Sequence, residues 1–208
     1  MKAQEENTNI SNLHEGFKKV ERVNQAMLCL SMSHTESTEG NEGTEGWVVG
    51  IFLLCIILIV MRKRLMMSAD DVKYIVIHCS ATRRNQNYTV EQMRKDHQER
   101  GFYDIGYHFY IRKDGTRTQH RMLLEVGAHA KPYNRCSIGI CYEGGLDEEG
   151  NSCNTLTRAQ REEILDLLGI LRRLFPRAKV VGHRDLPGTT PKDCPCLNVD
   201  EVLLTTKD

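Results

Sequence analysis

Short apolar runs alternate with helical patterns from residue 72 to the end of the chain. Apolar and β-branched residues in runs of this length, bounded by turn residues, are typical of buried strands. Strands are predicted over residues 72–79, 107–112, 116–120, 137–143 and 179–182. The turn Lys113-Asp114-Gly115 joins the second strand to the third, which indicates a β-hairpin.

Two helices are predicted from the residues that begin them. Thr89 is followed three positions later by Gln92, and this capping-box pattern satisfies backbone N–H groups at a helix start. Thr157 and Gln160 repeat it. We expect the first helix to end at Gly101 and the second to run to about residue 175. The order β-α-β-β-β-α-β predicts an α/β fold, a mixed central β-sheet flanked by helices.

The first 66 residues have a different character. Residues 1–46 are polar and rich in glutamate, and we predict that they are largely flexible. Residues 47–66 contain an apolar run to Met61, followed at once by Arg62, Lys63 and Arg64. A run of about fifteen residues is slightly short for a spanning helix, but snorkelling basic side chains lengthen it. A single-pass membrane anchor is predicted, and a buried helix stays open as the alternative.

Composition restricts the partners of the chain. Lysine plus arginine and aspartate plus glutamate both total 28, so the formal net charge is zero and no nucleic-acid partner is indicated. The chain has eight cysteines, but it is too long to need disulfide staples and shows no small-scaffold spacing. Cys79, Cys136 and Cys141 lie in apolar runs, where buried free thiols are common. We predict mostly reduced cysteines and a monomer.

Three residues form a candidate metal site. His78 stands near the end of the first predicted strand, His183 directly follows the last strand, and Cys194 lies shortly after it in a loop. Two imidazoles and one thiolate are a Zn²⁺ ligand set, and three protein ligands leave a fourth position for water, as in catalytic sites. We therefore predict a single zinc site at the sheet edge. Each histidine taken alone is more typical of a satisfied core residue.

Five pieces of the sequence occur in the order found in one protein family. They are Ile77-His78-Cys79-Ser80-Ala81-Thr82, Gly106-Tyr107-His108-Phe109, Gly127-Ala128-His129, Asn134-Arg135-Cys136-Ser137-Ile138-Gly139-Ile140, and His183 with Lys192-Asp193-Cys194. From about residue 72 to about residue 199 the chain resembles the zinc-dependent N-acetylmuramoyl-L-alanine amidases. The phage amidase-type lysozymes are the nearest match, and the animal peptidoglycan recognition proteins share the fold.

The resemblance implies roles for four further residues. Tyr107 and Lys192 would stabilise the transition state of amide hydrolysis, where a donor beside the developing oxyanion lowers the barrier. His129 and Asn134 would bind substrate, lining the groove that contacts the peptide stem or muramic acid. Without the resemblance, Lys192 is typical of a solvated loop lysine and Tyr107 of an aromatic residue packed on the core.

The general base is left open by one departure from the family. Some bacterial members carry a glutamate directly after the Ser-Ile-Gly-Ile run, where Cys141 stands here. Glu143 lies two positions further on and points to the same side if the strand continues. The proton of the attacking water therefore has three candidate destinations: Glu143, Tyr107, or no side chain at all.

The predicted function is zinc-dependent hydrolysis of the amide between N-acetylmuramic acid and L-alanine in peptidoglycan or its fragments, by a domain over residues 67–208. One alternative is a module that recognises peptidoglycan without cutting it. Non-cutting members of the family typically lose the cysteine ligand, which is present here as Cys194. A second alternative is a structural zinc site with Cys196 as a fourth ligand.

The location of the protein depends on its first residues. Basic residues follow the apolar run, so the positive-inside rule places residues 67–208 in the cytoplasm, away from an intact cell wall. The domain would then act on internal wall fragments. Otherwise Met66 or Met67 is the true start, and the working protein is soluble and without an anchor.

Overall fold

The computed structural model describes residues 66, 68–189 and 193–204. The described residues form seven strands: β1 (Tyr74–Cys79), β2 (Thr82–Arg83), β3 (Phe109–Ile111), β4 (Arg117–Gln119), β5 (Ser137–Tyr142), β6 (Gly145–Leu146) and β7 (Lys179–Gly182). They also form three α-helices: α1 (Val90–Glu99), α2 (Arg158–Leu174) and α3 (Val199–Leu204). Single 3₁₀ turns lie at Ala69–Asp71, Tyr133–Cys136 and His183–Asp185.

Five of these strands form a mixed sheet in the order β4-β3-β5-β1-β7. Strands β3, β5, β1 and β7 are parallel, and β4 pairs antiparallel with β3 as the hairpin partner. All residues of β5 and all but the first of β1 are buried, as expected for parallel strands covered on both faces. The predicted mixed sheet flanked by helices is confirmed.

The register of the sheet sets which side chains meet at its edge. Ile77 of β1 pairs with Gly182, the last residue of β7. His78 pairs on the other side with Cys141 of β5. Because parallel strands end at the same edge, the residue after β7 emerges beside His78. The strands thus bring together positions more than a hundred residues apart.

Both helix starts follow the predicted capping pattern. The Thr89 hydroxyl accepts a hydrogen bond from the backbone N–H of Gln92, and Thr157 with Gln160 forms a complete capping box. Gly101, at φ +85°, follows the first helix as predicted. One face of α2 is apolar and buried, at Ile164, Leu167, Leu168 and Leu171, and Leu174 on the same face is half-buried. Burial of such side chains stabilises the fold by roughly 1.5–3 kcal/mol each.

Several boundaries differ from the sequence prediction. Strand β3 begins at Phe109, so Tyr107 lies before it, and β5 ends at Tyr142, so Glu143 lies beyond it. The short β2–β6 pair and α3 were not predicted, because two-residue strands and one short helix carry no periodic signal. The predicted flexible segment 1–46 and the apolar run 47–61 lie outside the described residues. Within the described part of the chain, no helix is long and apolar enough to cross a membrane.

Candidate metal centre

The three predicted ligands meet at the edge where β1 and β7 end. The ligand atoms of His78, His183 and Cys194 all lie within 4.8 Å of one another. His78 is buried, whereas His183 and Cys194 are half-buried. Two imidazoles and one thiol within this distance fit a zinc ion, which accepts nitrogen and sulfur ligands in a tetrahedral arrangement.

His78 turns its two ring nitrogens in different directions. Its Nδ1 lies 3.7 Å from Cys194 Sγ, and its Nε2 lies 3.0 Å from Nδ1 of His129. The His78 and His183 rings are tilted against each other, with centroids 4.6 Å apart. Nδ1 of His78 is therefore the nitrogen that faces Cys194.

The loop that carries Cys194 is held by hydrogen bonds from two sides. The Tyr142 hydroxyl of β5 donates to the backbone oxygen of Pro195 at 2.6 Å. The Arg184 guanidinium donates to the backbone oxygen of Leu197, and the Arg184 backbone N–H donates to that of Cys194, both at 2.8 Å. Arg184 therefore fixes the loop that carries Cys194.

Gly182 allows this loop to approach β7. A Cβ atom at Gly182 would lie 2.8 Å from the Pro195 ring, closer than carbon atoms pack. The Gly182 backbone N–H donates to the Asp185 carboxylate at 2.9 Å, so Asp185 caps the turn that begins at His183. Gly182 therefore lets the loop of Cys194 lie against the end of β7, directly before His183.

Cys79 supports Cys194 rather than extending the ligand set. Its backbone N–H donates to Cys194 Sγ at 3.4 Å. Hydrogen bonding with Cys194 raises the pKa of the Cys79 thiol to about 12, so this sulfur stays protonated. Cys196 lies 3.6 Å from Cys79, sulfur to sulfur, and is not in the metal-binding group found among the described residues. The geometry therefore offers three ligands and disfavours a closed structural site.

Tyr107 lies beside the ligands. Its ring centroid is 5.1 Å from that of His78, and the residue packs against an apolar cluster that includes Ile105 and Cys141. Burial raises the pKa of the Tyr107 hydroxyl well above its usual value. The hydroxyl is therefore a proton donor at neutral pH and a poor base. Its catalytic role stays a prediction.

The two predicted groove residues are engaged with the protein itself. The Asn134 side-chain oxygen accepts hydrogen bonds from the backbone N–H groups of His129 and Ala130, at 2.9 and 2.8 Å. His129 is bonded to His78, and burial holds the pKa of its imidazole well below the usual value. Both residues lie close to the cluster, and contact with substrate stays a prediction for each.

Glu143 is paired away from the ligands. Its buried carboxylate accepts from Arg112 Nε at 2.9 Å and from the backbone N–H of Tyr88 at 2.7 Å. These partners occupy both carboxylate oxygens, which argues against Glu143 as the general base. Lys192 lies outside the described residues, so its role also stays a prediction.

The supporting role of one further histidine, His108, was missed in the sequence. His108 accepts from the Gly139 backbone N–H at 3.0 Å, and its other ring nitrogen lies 2.8 Å from the backbone oxygen of Glu125. Burial lowers the pKa of His108 to about 4. Its ring packs edge-on against His129, with centroids 5.6 Å apart. The sequence does not show that a histidine beside a strand packs its ring against another histidine.

The fold and the site define an α/β protein with one candidate zinc centre at the sheet edge. The family model described as N-acetylmuramoyl-L-alanine amidase matches residues 68–196. An endolysin of Enterobacteria phage K11 is 36% identical over 145 residues, covering 70% of this chain and 94% of that protein. An endolysin of Enterobacteria phage T3 is 41% identical over 125 residues, covering 60% of this chain and 81% of that protein.

A solved structure agrees with these sequence matches. The endolysin N-acetylmuramoyl-L-alanine amidase LysCS from Clostridium intestinale superposes with a TM-score of 0.54 at 30% identity, covering 64% of this chain and 82% of that one. The chain belongs to the N-acetylmuramoyl-L-alanine amidase family. The predicted family, fold and enzyme class are confirmed, and peptidoglycan is the substrate.

Proposed function

We propose that this amidase hydrolyses the bond between N-acetylmuramic acid and L-alanine with one zinc ion held by His78, His183 and Cys194. The observation that carries the proposal is the convergence of these three ligand atoms within 4.8 Å. A three-ligand set suits a catalytic zinc, which lowers the pKa of a bound water to near neutrality and polarises a carbonyl group. Residues 67–208 form the proposed amidase domain.

A backbone N–H group stabilises the thiolate form of the proposed ligand Cys194. The Cys79 N–H points at Cys194 Sγ, and a donor so placed favours the charged sulfur over the thiol. The anchored loop keeps this sulfur at the end of β7. Cys194 is thereby held ready for metal at a fixed position and in the right protonation state.

Tyr107 acts in the proposal as a donor to the substrate. Its hydroxyl, whose pKa is raised, keeps its proton at neutral pH, and its ring lies beside that of His78, with centroids 5.1 Å apart. A hydrogen bond to the developing oxyanion lowers the barrier because the charge forms where a donor already stands. Lys192, two residues before Cys194, is proposed to add a positive charge to the same oxyanion.

The test compares the full chain with its Cys194→Ser variant. Release of free L-alanine amino groups is followed with peptidoglycan and with a soluble muropeptide, while bound zinc is quantified in the same samples. We expect about one zinc per chain and amide cleavage in the wild type, and loss of both in the variant. Muropeptide binding without cleavage by the zinc-loaded wild type would contradict the catalytic proposal and favour a recognition module.

A further inference from the structure

His129 occupies a space between two glycines next to the ligand His78. Its Nδ1 lies 3.0 Å from His78 Nε2, and the two rings meet edge to face, at 88°. A Cβ atom at Gly127 would lie 2.7 Å from His129 Nε2, and one at Gly139 would lie 2.7 Å from its Nδ1. The ring fits only because both neighbouring positions lack a side chain.

The contact between the rings has a defined direction when His78 is a ligand. Nδ1 of His78 faces Cys194 and must present a lone pair to bind metal. A neutral imidazole then carries its proton on Nε2, so His78 donates and His129 Nδ1 accepts. The proton of His129 is consequently on its own Nε2.

That second nitrogen of His129 is left without a partner. Among the described residues, Nε2 of His129 is a buried side-chain atom with no hydrogen bond. An unpaired buried N–H group is unfavourable, so a hydrogen bond of Nε2 does not explain the position of the His129 ring. Because Nδ1 is hydrogen-bonded and Nε2 is buried, neither ring nitrogen is open to a ligand. The polar contact that His129 makes with its ring is the hydrogen bond to His78.

We propose that His129 is a positioning residue that acts through His78. By accepting the Nε2 proton, it selects the tautomer of His78 with a free Nδ1 lone pair and holds that ring facing His183 and Cys194. Ligating histidines commonly use their second nitrogen in this way, with a carboxylate, a carbonyl or a water as the acceptor. Here the acceptor is another histidine. The inference rests on the proposed zinc function.

Two variants of similar size separate hydrogen bonding from packing. His129→Asn keeps an acceptor, because the asparagine Oδ1 stands where the histidine Nδ1 was, whereas His129→Leu removes it. Zinc affinity of the full chain is measured by competition with a chelator. We expect His129→Leu to bind zinc about 10- to 100-fold more weakly than the wild type and His129→Asn to keep most of the affinity.

Further measurements identify the results that would contradict a positioning role for His129. Equal zinc affinity of the asparagine and leucine variants, or a raised KM for muropeptide at unchanged zinc affinity, would overturn the proposal and favour direct substrate contact. Circular dichroism checks folding, and His129→Ala replaces the leucine variant if that chain does not fold. If the wild type itself binds no zinc, the proposed function fails. That result differs from the one expected here, in which the wild type binds zinc and the leucine variant binds it weakly.

Discussion

His78 and His183 stand side by side at the ends of adjacent parallel strands, with ring centroids 4.6 Å apart. The pairing of Ile77 with Gly182 produces this relationship, because both histidines immediately follow the paired residues. A rigid sheet therefore holds two of the three proposed ligands before any metal binds. Only Cys194 depends on a loop, and hydrogen bonds from Tyr142 and Arg184 hold that loop.

Cys196→Ser should leave the zinc content and the amidase rate near those of the wild type. The Cys196 sulfur contacts Cys79 and is not among the three clustered ligand atoms. Zinc per chain and the rate of amino-group release are measured for both proteins. A structural four-ligand site would instead lose its zinc with this substitution.

Tyr107→Phe should lower kcat by about 10²- to 10³-fold, since removal of one oxyanion donor has that effect. Zinc binding should be unchanged because the ring still packs on His78 and its apolar cluster. Single-substrate kinetics with a soluble muropeptide and parallel zinc titration test both statements. An unchanged kcat would leave Tyr107 with a packing role only.

Lys192→Ala should also lower kcat by about 10²-fold or more while zinc stays bound, if the lysine supports the oxyanion. Lys131→Ala is the matched control, because Lys131 is an exposed loop lysine with no assigned role. Both variants are assayed at saturating muropeptide. Equal rates for the two would identify Lys192 as an ordinary surface residue.

His108 should make the fold less stable in acid. Its pKa falls from 6.5 to about 4 on folding because the ring is buried, so the unfolded chain binds the proton more readily. This contribution to stability is complete above pH 6.5 and is lost as the pH falls towards 4. At pH 5 the loss is about 2 kcal/mol.

Urea unfolding of the wild type and of His108→Asn at pH 7.5 and pH 5 measures this effect. The asparagine can still accept from the Gly139 N–H but does not titrate in this range. The variant should therefore show the smaller decrease in the free energy of unfolding between the two pH values. Equal decreases would assign the acid sensitivity to other groups.

A chain that begins at Met67 should keep the amidase activity of the full chain. The family match covers residues 68–196, and the described residues from 69 onwards form one compact unit. Cleavage rates on a soluble muropeptide are compared at equal zinc loading. A large loss on truncation would show that residues 1–66 contribute to the active protein.

The sequence alone determined most of the local elements and indicated the candidate ligand set. Thr89 and Thr157 predict the starts of α1 and α2 because capping hydrogen bonds join residues only three positions apart in the sequence. The buried runs of β1 and β5 are visible because strands covered on both faces are continuously apolar. His78, His183 and Cys194 stood out because two imidazoles and one thiolate are a zinc ligand set, and both histidines end or follow predicted strands.

Only the tertiary structure decided which partners the remaining polar side chains take. Glu143 pairs with Arg112, 31 residues away, and His129 bonds to His78, 51 residues away. Such contacts depend on strand register, on where β5 ends and on space left by glycines such as Gly139. None of these is a local property of the chain. The direction of a side chain is set by its own strand, whereas the residue it meets is set by the register of a neighbouring strand.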